Sequence, residues 1–399
     1  MMTGPLKHIR VLDLSRIMAG PWAGQILADL GAEVIKVERA GAGDDTRKWG
    51  PPYLKDSDGK DTAESGYYLS VNRGKKSVEI DIASAEGQAT IKALAAKSDV
   101  VLENFKVGTL DRYGIGPEAL KAVNPDLIFC SITGFGQDGP RAKDVAYDFM
   151  IQAMGGLMSV TGAPDEEPGG GPQKMGVPIV DIMTGMYAAI AVLAALAERS
   201  QSGKGETIDI AMLDVATAML ANQAMNHLVS GDTPIRRGNK HPNIQPQDVF
   251  PVRDGHIVLA VGNDEQFQRF AGAIGRPDLS DDDRYSTNRE RVKNLSTLHP
   301  LICTQLQDKD LVDWIAIFGA EKVPCGPINT VPMVFADEQV QHRQMLRDLP
   351  HPLSGKVPSV ISPMRFDRAA LSFDRPPPLL GEHTDEILAN LGLTTEATD

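Results

Sequence analysis

Short apolar segments alternate with helical segments along the N-terminal third of the chain, and this alternation constrains the fold more than any other feature. Strands are predicted at residues 9–14 and 33–38, joined by a helix that begins at Pro21 and stops at Gly31. The alternation continues through strands and helices in turn, at residues 77–82, 85–96, 100–103, 117–123 and 127–133. Because strand–helix–strand repeats place helices over parallel strands, the pattern predicts an α/β fold with a mostly parallel, Rossmann-like sheet.

The sequence changes character near residue 231, where a polar loop rich in chain-breaking residues begins. A hairpin that turns at Asp254-Gly255 is predicted beyond it. A proline-rich stretch at residues 357–378 predicts an extended return segment, which ends in a helix at 384–390. Helical periodicity also marks four longer segments, at residues 181–199, 213–229, 284–305 and 309–318. A second domain is therefore predicted to start near residue 231.

Composition excludes several classes of function. The 399-residue chain has a formal net charge of −13, which argues against a nucleic-acid-binding surface. Its three cysteines, Cys130, Cys303 and Cys325, are widely spaced and predict neither a disulfide framework nor a zinc site, so we expect no bound metal. No secretory signal opens the chain, and the longest apolar run, at residues 186–197, is too short to span a bilayer. These features predict a cytoplasmic protein.

Asp181 is the acid whose position most needs an explanation, because it lies inside an apolar segment at residues 175–197. A carboxylate there costs free energy unless it is hydrogen-bonded, paired or used. One interpretation is a buried Asp that caps the helix that follows. The other is a nucleophile, since a helix N-terminus also favours the ionised carboxylate. Asp148, which begins another predicted helix, is expected to cap that helix and is a candidate for a second acid near Asp181.

The loop at residues 15–24, after the first strand, lacks the GxGxxG pattern of dinucleotide-binding folds. Arg16, Arg39 and Arg47 are instead candidates for a cationic surface that binds a phosphorylated ligand. Phe105 follows a strand at the carboxyl edge of the sheet, where ligands of such folds bind, and it is either a stacking surface for a base or a core aromatic. The histidines make no catalytic or metal-ligand spacing, which favours carboxylates as the reactive groups.

Several longer motifs give a more specific result. They are Leu-Ser-Arg-Ile-Met-Ala-Gly-Pro at residues 14–21, Ala-Glu-Val-Ile-Lys-Val-Glu-Arg at 32–39, Gly-Asp-Asp-Thr-Arg at 43–47, Val-Leu-Glu-Asn-Phe at 101–105, Gly-Phe-Gly-Gln-Asp-Gly-Pro at 134–140, Thr-Gly-Met at 184–186, Pro-Cys-Gly-Pro-Ile-Asn at 324–329 and Leu-Leu-Gly-Glu-His-Thr at 379–384. Together they resemble the class III CoA-transferase family, and the resemblance covers nearly the whole chain.

The resemblance implies a fold, a substrate and a site. The fold is an interlocked homodimer, with a large α/β domain at residues 1–230, a smaller α+β domain at 231–330 and a return segment at 331–399 that completes the large domain. A CoA thioester is then a substrate, and no permanently bound cofactor is expected. Asp181 matches the catalytic aspartate, and residues that hold CoA are expected at Arg16, Ile17, Met18, Ala19, Arg39, Asn104, Phe105, Arg112 and Tyr147.

The mechanism that the resemblance implies starts from ionised Asp181, which attacks the thioester carbonyl and gives an aspartyl anhydride and then an aspartyl-CoA thioester. Racemases of the family carry a histidine immediately before the position of Asp148, whereas this chain has Tyr147, which disfavours racemisation. A 2-methylacyl-CoA racemase remains the alternative activity. A CoA-binding protein without turnover is the alternative from another class.

The middle and C-terminal motifs look most like the branch that moves CoA from succinyl-CoA to dicarboxylates such as glutarate or itaconate. A cation must then pair with the distal carboxylate of the acceptor. Arg16, Arg237 and Lys240 are the candidates for this cation, and Asp148 is also expected at the substrate.

Overall fold

The computed structural model describes residues 4–371 and 373–393. The described strands are β1 (Arg10–Asp13), β2 (Glu33–Glu38), β3 (Tyr53–Lys55), β4 (Asp61–Ser65), β5 (Lys76–Glu79), β6 (Val100–Glu103), β7 (Ile128–Thr133), β8 (Thr207–Ala211), β9 (Gln247–Val252), β10 (Gly255–Ala260), β11 (Cys325–Pro327), β12 (Leu346–His351) and β13 (Gly355–Val360).

The α-helices of the described residues are α1 (Ala19–Asp29), α2 (Gly66–Leu69), α3 (Ala85–Ala95), α4 (Thr109–Arg112), α5 (Pro117–Val123), α6 (Asp148–Met154), α7 (Leu157–Val160), α8 (Ile179–Ser202), α9 (Met212–Met219), α10 (Ala221–Ser230), α11 (Asp264–Ala273), α12 (Asp278–Asp281), α13 (Asn288–Lys293), α14 (Leu295–Leu306), α15 (Leu311–Ala320), α16 (Val331–Ala336), α17 (Glu338–His342) and α18 (Thr384–Ala389). A 3-10 helix spans Asp45–Lys48.

Six of the described strands form one sheet in the order β5-β2-β1-β6-β7-β8, and every neighbouring pair is parallel. β6 and β7 are buried along their whole length, which explains why their sequences are nearly continuous in apolar residues. The strand order reverses between β1 and β6, and ligands of open α/β sheets bind beyond the carboxyl ends of such strands. The predicted α/β class and mostly parallel sheet are confirmed.

Helix α8 packs closely on α1 within the core that covers one face of this sheet. Gly185 permits the close approach, because a Cβ at this position would lie 2.5 Å from the carbonyl oxygen of Ala19. Ala188, Ala189 and Val192 then continue the buried face of α8. The packing therefore holds the N-terminal turn of α8, with Asp181, beside the start of α1.

Helix α8 also has the length and composition of a membrane span, with 24 residues and a mean hydropathy of 2.0 over an 18-residue stretch. The apolar run at residues 186–197 is part of this helix, which extends past the run at both ends. Core helices share this length and composition, and α8 buries one face against α1 and the sheet. That packing is the arrangement of a core helix.

The described chain divides into two compact units. The first takes its residues from Met1–Leu157, Met175–Ala221 and Glu338–Asp399, so both ends of the chain contribute to it. The second takes Met158–Lys174 and Asn222–Asp337. Its antiparallel sheet, β11-β10-β9, packs on an aromatic-rich core. The second unit includes residues 158–174, which the predicted division left in the large domain, and the domain limits at 230 and 330 stay a prediction.

Two predicted long helices are wrong in extent. The segment 213–229 contains α9 and α10, which meet at Ala221, a residue with a left-handed φ of 43°. The segment 284–305 contains α13 and α14, which meet at Asn294. The Asn294 side-chain amide donates to the carbonyl oxygens of Arg284 and Glu290, and this local bonding competes with a continuous helix. Apolar periodicity continues through both breaks and so did not reveal them.

Candidate active site

Buried charges fix the start of the loop that follows β1. Asp13, the last residue of β1, accepts hydrogen bonds from the backbone N–H and the hydroxyl of Ser15. Lys75 Nζ donates to the other Asp13 carboxylate oxygen at 2.8 Å. Lys36 Nζ, from β2, donates to the Ser15 carbonyl oxygen at 2.8 Å. Each polar group of Ser15 therefore has a buried partner.

Asp44 holds the next residue of the loop. Its two carboxylate oxygens lie 3.3 and 3.2 Å from the backbone N of Ile17, which donates to them. Ile17 has a φ of 71°, in the left-handed region that β-branched residues rarely adopt. Such a conformation persists only where its surroundings enforce it, and here Asp44 and the Lys36 ion pair at 2.9 Å supply that enforcement.

Asn104, the first residue after β6, fixes the loop from the other side. Its side-chain oxygen accepts the backbone N–H of Arg16 at 2.9 Å, and its Nδ2 donates to the Arg16 carbonyl oxygen at 2.7 Å. The amide thus binds the Arg16 backbone in the way a neighbouring strand would. Because β1 and β6 are adjacent in the sheet, the two segments meet at the point where the strand order reverses.

Two adjoining clefts open at this edge of the first unit. The first has a cavity volume of about 340 Å³ and contains three predicted CoA-binding residues, Arg16, Arg39 and Phe105. The Arg16 guanidinium lies 5.6 Å from the centre of the Phe105 ring and 3.1 Å from Asp45. The walls combine exposed cations with a half-buried aromatic ring, which suits a phosphorylated ligand with a planar base.

The second cleft has a cavity volume of about 170 Å³ and contains Asp181. It shares Arg16, Asp45 and Phe105 with the first cleft. The structure brings eight of the predicted site residues to its walls, namely Arg16, Ile17, Ala19, Asn104, Phe105, Tyr147, Asp148 and Asp181.

Asp181 lies in the first turn of α8 and is 9% exposed. The interpretation that it caps this helix is wrong, because the N-cap residue is Pro178 and no side chain of the helix forms the cap. Within residues 4–371 and 373–393, no hydrogen bond or ion pair engages the Asp181 carboxylate. A buried carboxylate in a cleft, without a partner, is available for chemistry.

Asp148 provides the cap instead. Its Oδ1 accepts the backbone N–H groups of Val180, at 2.8 Å, and Asp181, at 3.2 Å. Its Oδ2 accepts from Gln152 Nε2 at 2.6 Å. The prediction that Asp148 caps its own helix is therefore wrong, since α6 has Tyr147 at its N-cap without a side-chain bond. Asp148 reaches across to α8, and this brings a second acid beside Asp181.

Burial, followed by the negative charge of Asp148, raises the pKa of Asp181 to about 7. Asp181 therefore changes charge near neutral pH. A carboxylate with this pKa is more basic than an ordinary one, and it is still largely ionised just above neutral pH. Both properties suit a nucleophile.

Three groups that support the Ile17 loop or interact with Asp181 carried no clear signal in the sequence. Lys36 and Asp44 form the buried pair that holds Ile17, and only their place in the motifs at 32–39 and 43–47 pointed to them. Tyr67 had no motif. Burial, followed by the charges of Asp181, Asp148 and Asp44, raises the pKa of Tyr67 to about 12. Its phenol is therefore within electrostatic reach of all three carboxylates.

Other predicted residues lie elsewhere. Met18 is buried at the N-cap of α1, and Arg112 is exposed on α4, stacked on Tyr113, which lines the first cleft. Arg47 does not join the cationic surface, because it is buried and paired with Glu38 and Glu64. Arg237 and Lys240 lie in the second unit, after α10.

Comparison with known proteins identifies the family. A sequence profile described as CoA-transferase family III matches residues 6–384. The succinate–glutarate CoA-transferase of Agrobacterium fabrum is 47% identical over 97% of this chain and 96% of its own. The human succinyl-CoA:glutarate CoA-transferase is 42% identical over 96% of this chain and 85% of its own.

Solved structures agree. A CAIB/BAIF family protein from Brucella suis matches with a TM-score of 0.85 and 47% identity, over 98% of this chain and 100% of that one. A hypothetical protein from Mycobacterium tuberculosis matches with a TM-score of 0.84 and 33% identity, over 97% of this chain and 99% of that one. The predicted family and enzyme class are thereby confirmed: the chain belongs to CoA-transferase family III.

Proposed function

We propose that this enzyme transfers CoA from succinyl-CoA to a dicarboxylate, with glutarate as the first acceptor to test. The observation that carries the proposal is a buried, unpaired Asp181 in a cleft that adjoins a cationic, aromatic-walled one. The relatives with nearly full coverage act, by their names, on succinate or succinyl-CoA and glutarate. The chemistry of the site and the specificity of the relatives support the same reaction.

In the first half-reaction, an ionised Asp181 oxygen attacks the carbonyl carbon of succinyl-CoA. The C–S bond breaks, and CoA leaves as a thiolate, so an aspartyl–succinyl anhydride forms. The thiolate then attacks the Asp181 carbonyl carbon, succinate leaves, and an aspartyl-CoA thioester remains. The acceptor carboxylate reverses these two steps and departs as its CoA thioester. No proton, metal or external energy source is consumed.

The tetrahedral oxyanions need hydrogen-bond donors. The N–H groups of Val180 and Asp181 are engaged by Asp148, and that of Ile17 by Asp44. The N–H groups of Met18 and Ala19 form no hydrogen bond within the described residues. They begin the 11-residue helix α1, whose N-terminus favours negative charge. We assign them as the oxyanion donors, which gives Met18 a role through its backbone.

The acceptor's distal carboxylate requires a cation. Arg16 is the candidate that lines the Asp181 cleft, while Arg237 and Lys240 remain candidates from the second unit. Because Arg16 also lines the first cleft, it can pair with both CoA and the distal carboxylate of the acceptor only if both ligands contact the same guanidinium. If another cation binds the distal carboxylate, Arg16 binds CoA alone.

The assembly we propose is an interlocked homodimer that works in the cytoplasm. The exposed apolar side chains of α8 support an interface with a second copy of the chain; they are Met186, Tyr187 and Ile190. Three free cysteines support a reducing compartment. Light scattering tests the dimer, since a mass near that of one chain would contradict it.

The deciding experiment is mass spectrometry of CoA exchange, with succinyl-CoA as donor and glutarate, itaconate, mesaconate, malate, carnitine, oxalate and formate as acceptors. We expect new dicarboxyl-CoA thioesters from the parent and none from Asp181→Ala. Incubation without an acceptor should leave CoA attached to the Asp181 peptide. Exchange that survives in Asp181→Ala would contradict the mechanism. Solvent deuterium at the α-carbon of a 2-methylacyl-CoA, without exchange, would establish the racemase instead.

A further inference from the structure

The second unit contains a Cys–His–Asp cluster that the proposed transfer does not use. The Sγ of Cys303 lies 3.5 Å from Nδ1 of His299, and Nε2 of the same ring lies 3.1 Å from Oδ2 of Asp248. His299 and Cys303 are four residues apart on α14 and share one face of that helix. Asp248 reaches them from β9, which packs on α14.

The surroundings hold the imidazole in one orientation. The Phe250 ring lies 5.1 Å away, centre to centre, with an interplanar angle of 30°. Asp248 is 6% exposed and accepts from Nε2–H, which leaves the Nδ1 lone pair directed at the thiol. A nucleophile, a base and an acid that orients the base thus stand in the order that nucleophilic catalysis uses.

Burial, followed by the charge of Asp248, raises the pKa of the Cys303 thiol, and the Lys240 charge opposes this rise. The thiol therefore keeps its proton at neutral pH, and its reactivity depends on a base that takes the proton as sulfur attacks. No group of three side chains suited to a metal ion occurs among the described residues. The cluster is consequently a candidate for thiol chemistry.

We propose that Cys303, His299 and Asp248 form a reactive-thiol site that hydroperoxides oxidise. The sulfur attacks one oxygen of hydrogen peroxide, and the O–O bond breaks. His299 takes the thiol proton at Nδ1 and passes it to the departing oxygen, which leaves as water, while Asp248 stabilises the transient imidazolium. Sulfur is oxidised to sulfenic acid and the peroxide is reduced.

The protein supplies its own control in Cys325. This cysteine is also half-buried in the second unit, burial likewise raises its thiol pKa, and no described histidine bonds to it. Cys130 is fully buried and reports unfolding. The experiment treats the full chain with hydrogen peroxide and dimedone, which traps sulfenic acid, and measures the labelling rate of each cysteine peptide by mass spectrometry.

We expect Cys303 to label at least about tenfold faster than Cys325, as general-base assistance provides. His299→Gln should lower the Cys303 rate to that of Cys325 and leave Cys325 unchanged. Equal rates in the parent, or an unchanged Cys303 rate in His299→Gln, would overturn the proposal. If labelling of Cys130 shows that His299→Gln unfolds, Asp248→Asn decides: a slower Cys303 supports the site, and an unchanged one refutes it.

Discussion

Asp44 and Asp181 are both buried carboxylates of the first unit, yet their surroundings are opposite. Asp44 is 4% exposed and bonds Lys36, Thr46 and the backbone of Ile17. Burial favours its neutral form, but Lys36 and the hydrogen bonds outweigh burial and lower its pKa below 3.8. Asp181 is 9% exposed, has no bonded partner for its carboxylate among the described residues, and has a pKa raised to about 7.

The difference separates two uses of a buried charge. Asp44 is fully bonded, so it is stable as an ion and holds the Ile17 loop in a strained conformation. Asp181 lacks such bonds, which costs stability and leaves its oxygens free to attack a carbonyl. The hydrogen bonds and ion pair of Asp44 thus support the Ile17 loop, which lies beside the unpaired carboxylate of Asp181.

Removing Asp44 tests the structural half of this comparison. Asp44→Ala leaves Lys36 as an unpaired buried cation, which should lower the free energy of unfolding by about 3 to 5 kcal/mol. CoA exchange should also fall, because Ile17 loses its partner. Urea denaturation measures the first effect. Asp45→Ala is the matched control, since the ion pairs of Asp45 with Arg16 and Arg39 are exposed and their loss should cost about 1 kcal/mol or less. Equal losses of unfolding free energy in Asp44→Ala and Asp45→Ala would contradict the structural role given to Asp44.

Asp148→Asn tests what tunes Asp181. Without the Asp148 charge the pKa of Asp181 should fall, so the acid limb of kcat/KM, expected near pH 7 in the parent, should move to lower pH. The substitution also disturbs the hydrogen bond between Asp148 and Gln152, and this should lower kcat by about 10-fold to 10²-fold. Asp144→Asn removes a charge from the same cleft, but one that is exposed and paired with Arg141, and should leave the acid limb in place. An unmoved limb in Asp148→Asn would assign it to another group.

Asp181→Asn should stabilise the fold while it abolishes exchange. The pKa of Asp181 is raised from 3.8 to about 7 on folding, so the folded state binds its proton more tightly and loses stability as pH rises through this window. The variant's Tm advantage should therefore be largest at pH 8 and shrink toward pH 5, at roughly 2 to 4 °C for each kcal/mol. Calorimetry at both pH values measures it. A variant less stable than the parent at pH 8 would mean that the carboxylate has partners.

Sequence reasoning reached the family and the parallel sheet, because periodicity and motifs are local properties of the chain. It also singled out Asp181, whose catalytic role stays a prediction. It missed the origin of the Asp181 environment. Asp148 is 33 residues from Asp181, and no local pattern indicates that it caps α8 in place of its own helix. Arg47 is a further example, since a cation that follows polar residues looks exposed until Glu38 and Glu64 are found around it. Pairing between distant charges depends on the fold.

The smallest effect concerns Arg16 and Arg112, two of the three arginines predicted to hold CoA. Arg16 is half-exposed, lines both clefts and stacks near Phe105, whereas Arg112 lines neither. Arg16→Gln should raise the KM for succinyl-CoA by about tenfold or less, as expected for one charge-assisted contact near solvent, with kcat and Tm little changed. Arg112→Gln should change KM less, and steady-state kinetics at two salt concentrations measures both. If Arg112→Gln raises KM more than Arg16→Gln, CoA binds beyond the walls of these two clefts. The free charges that act on the substrate would then include one on α4.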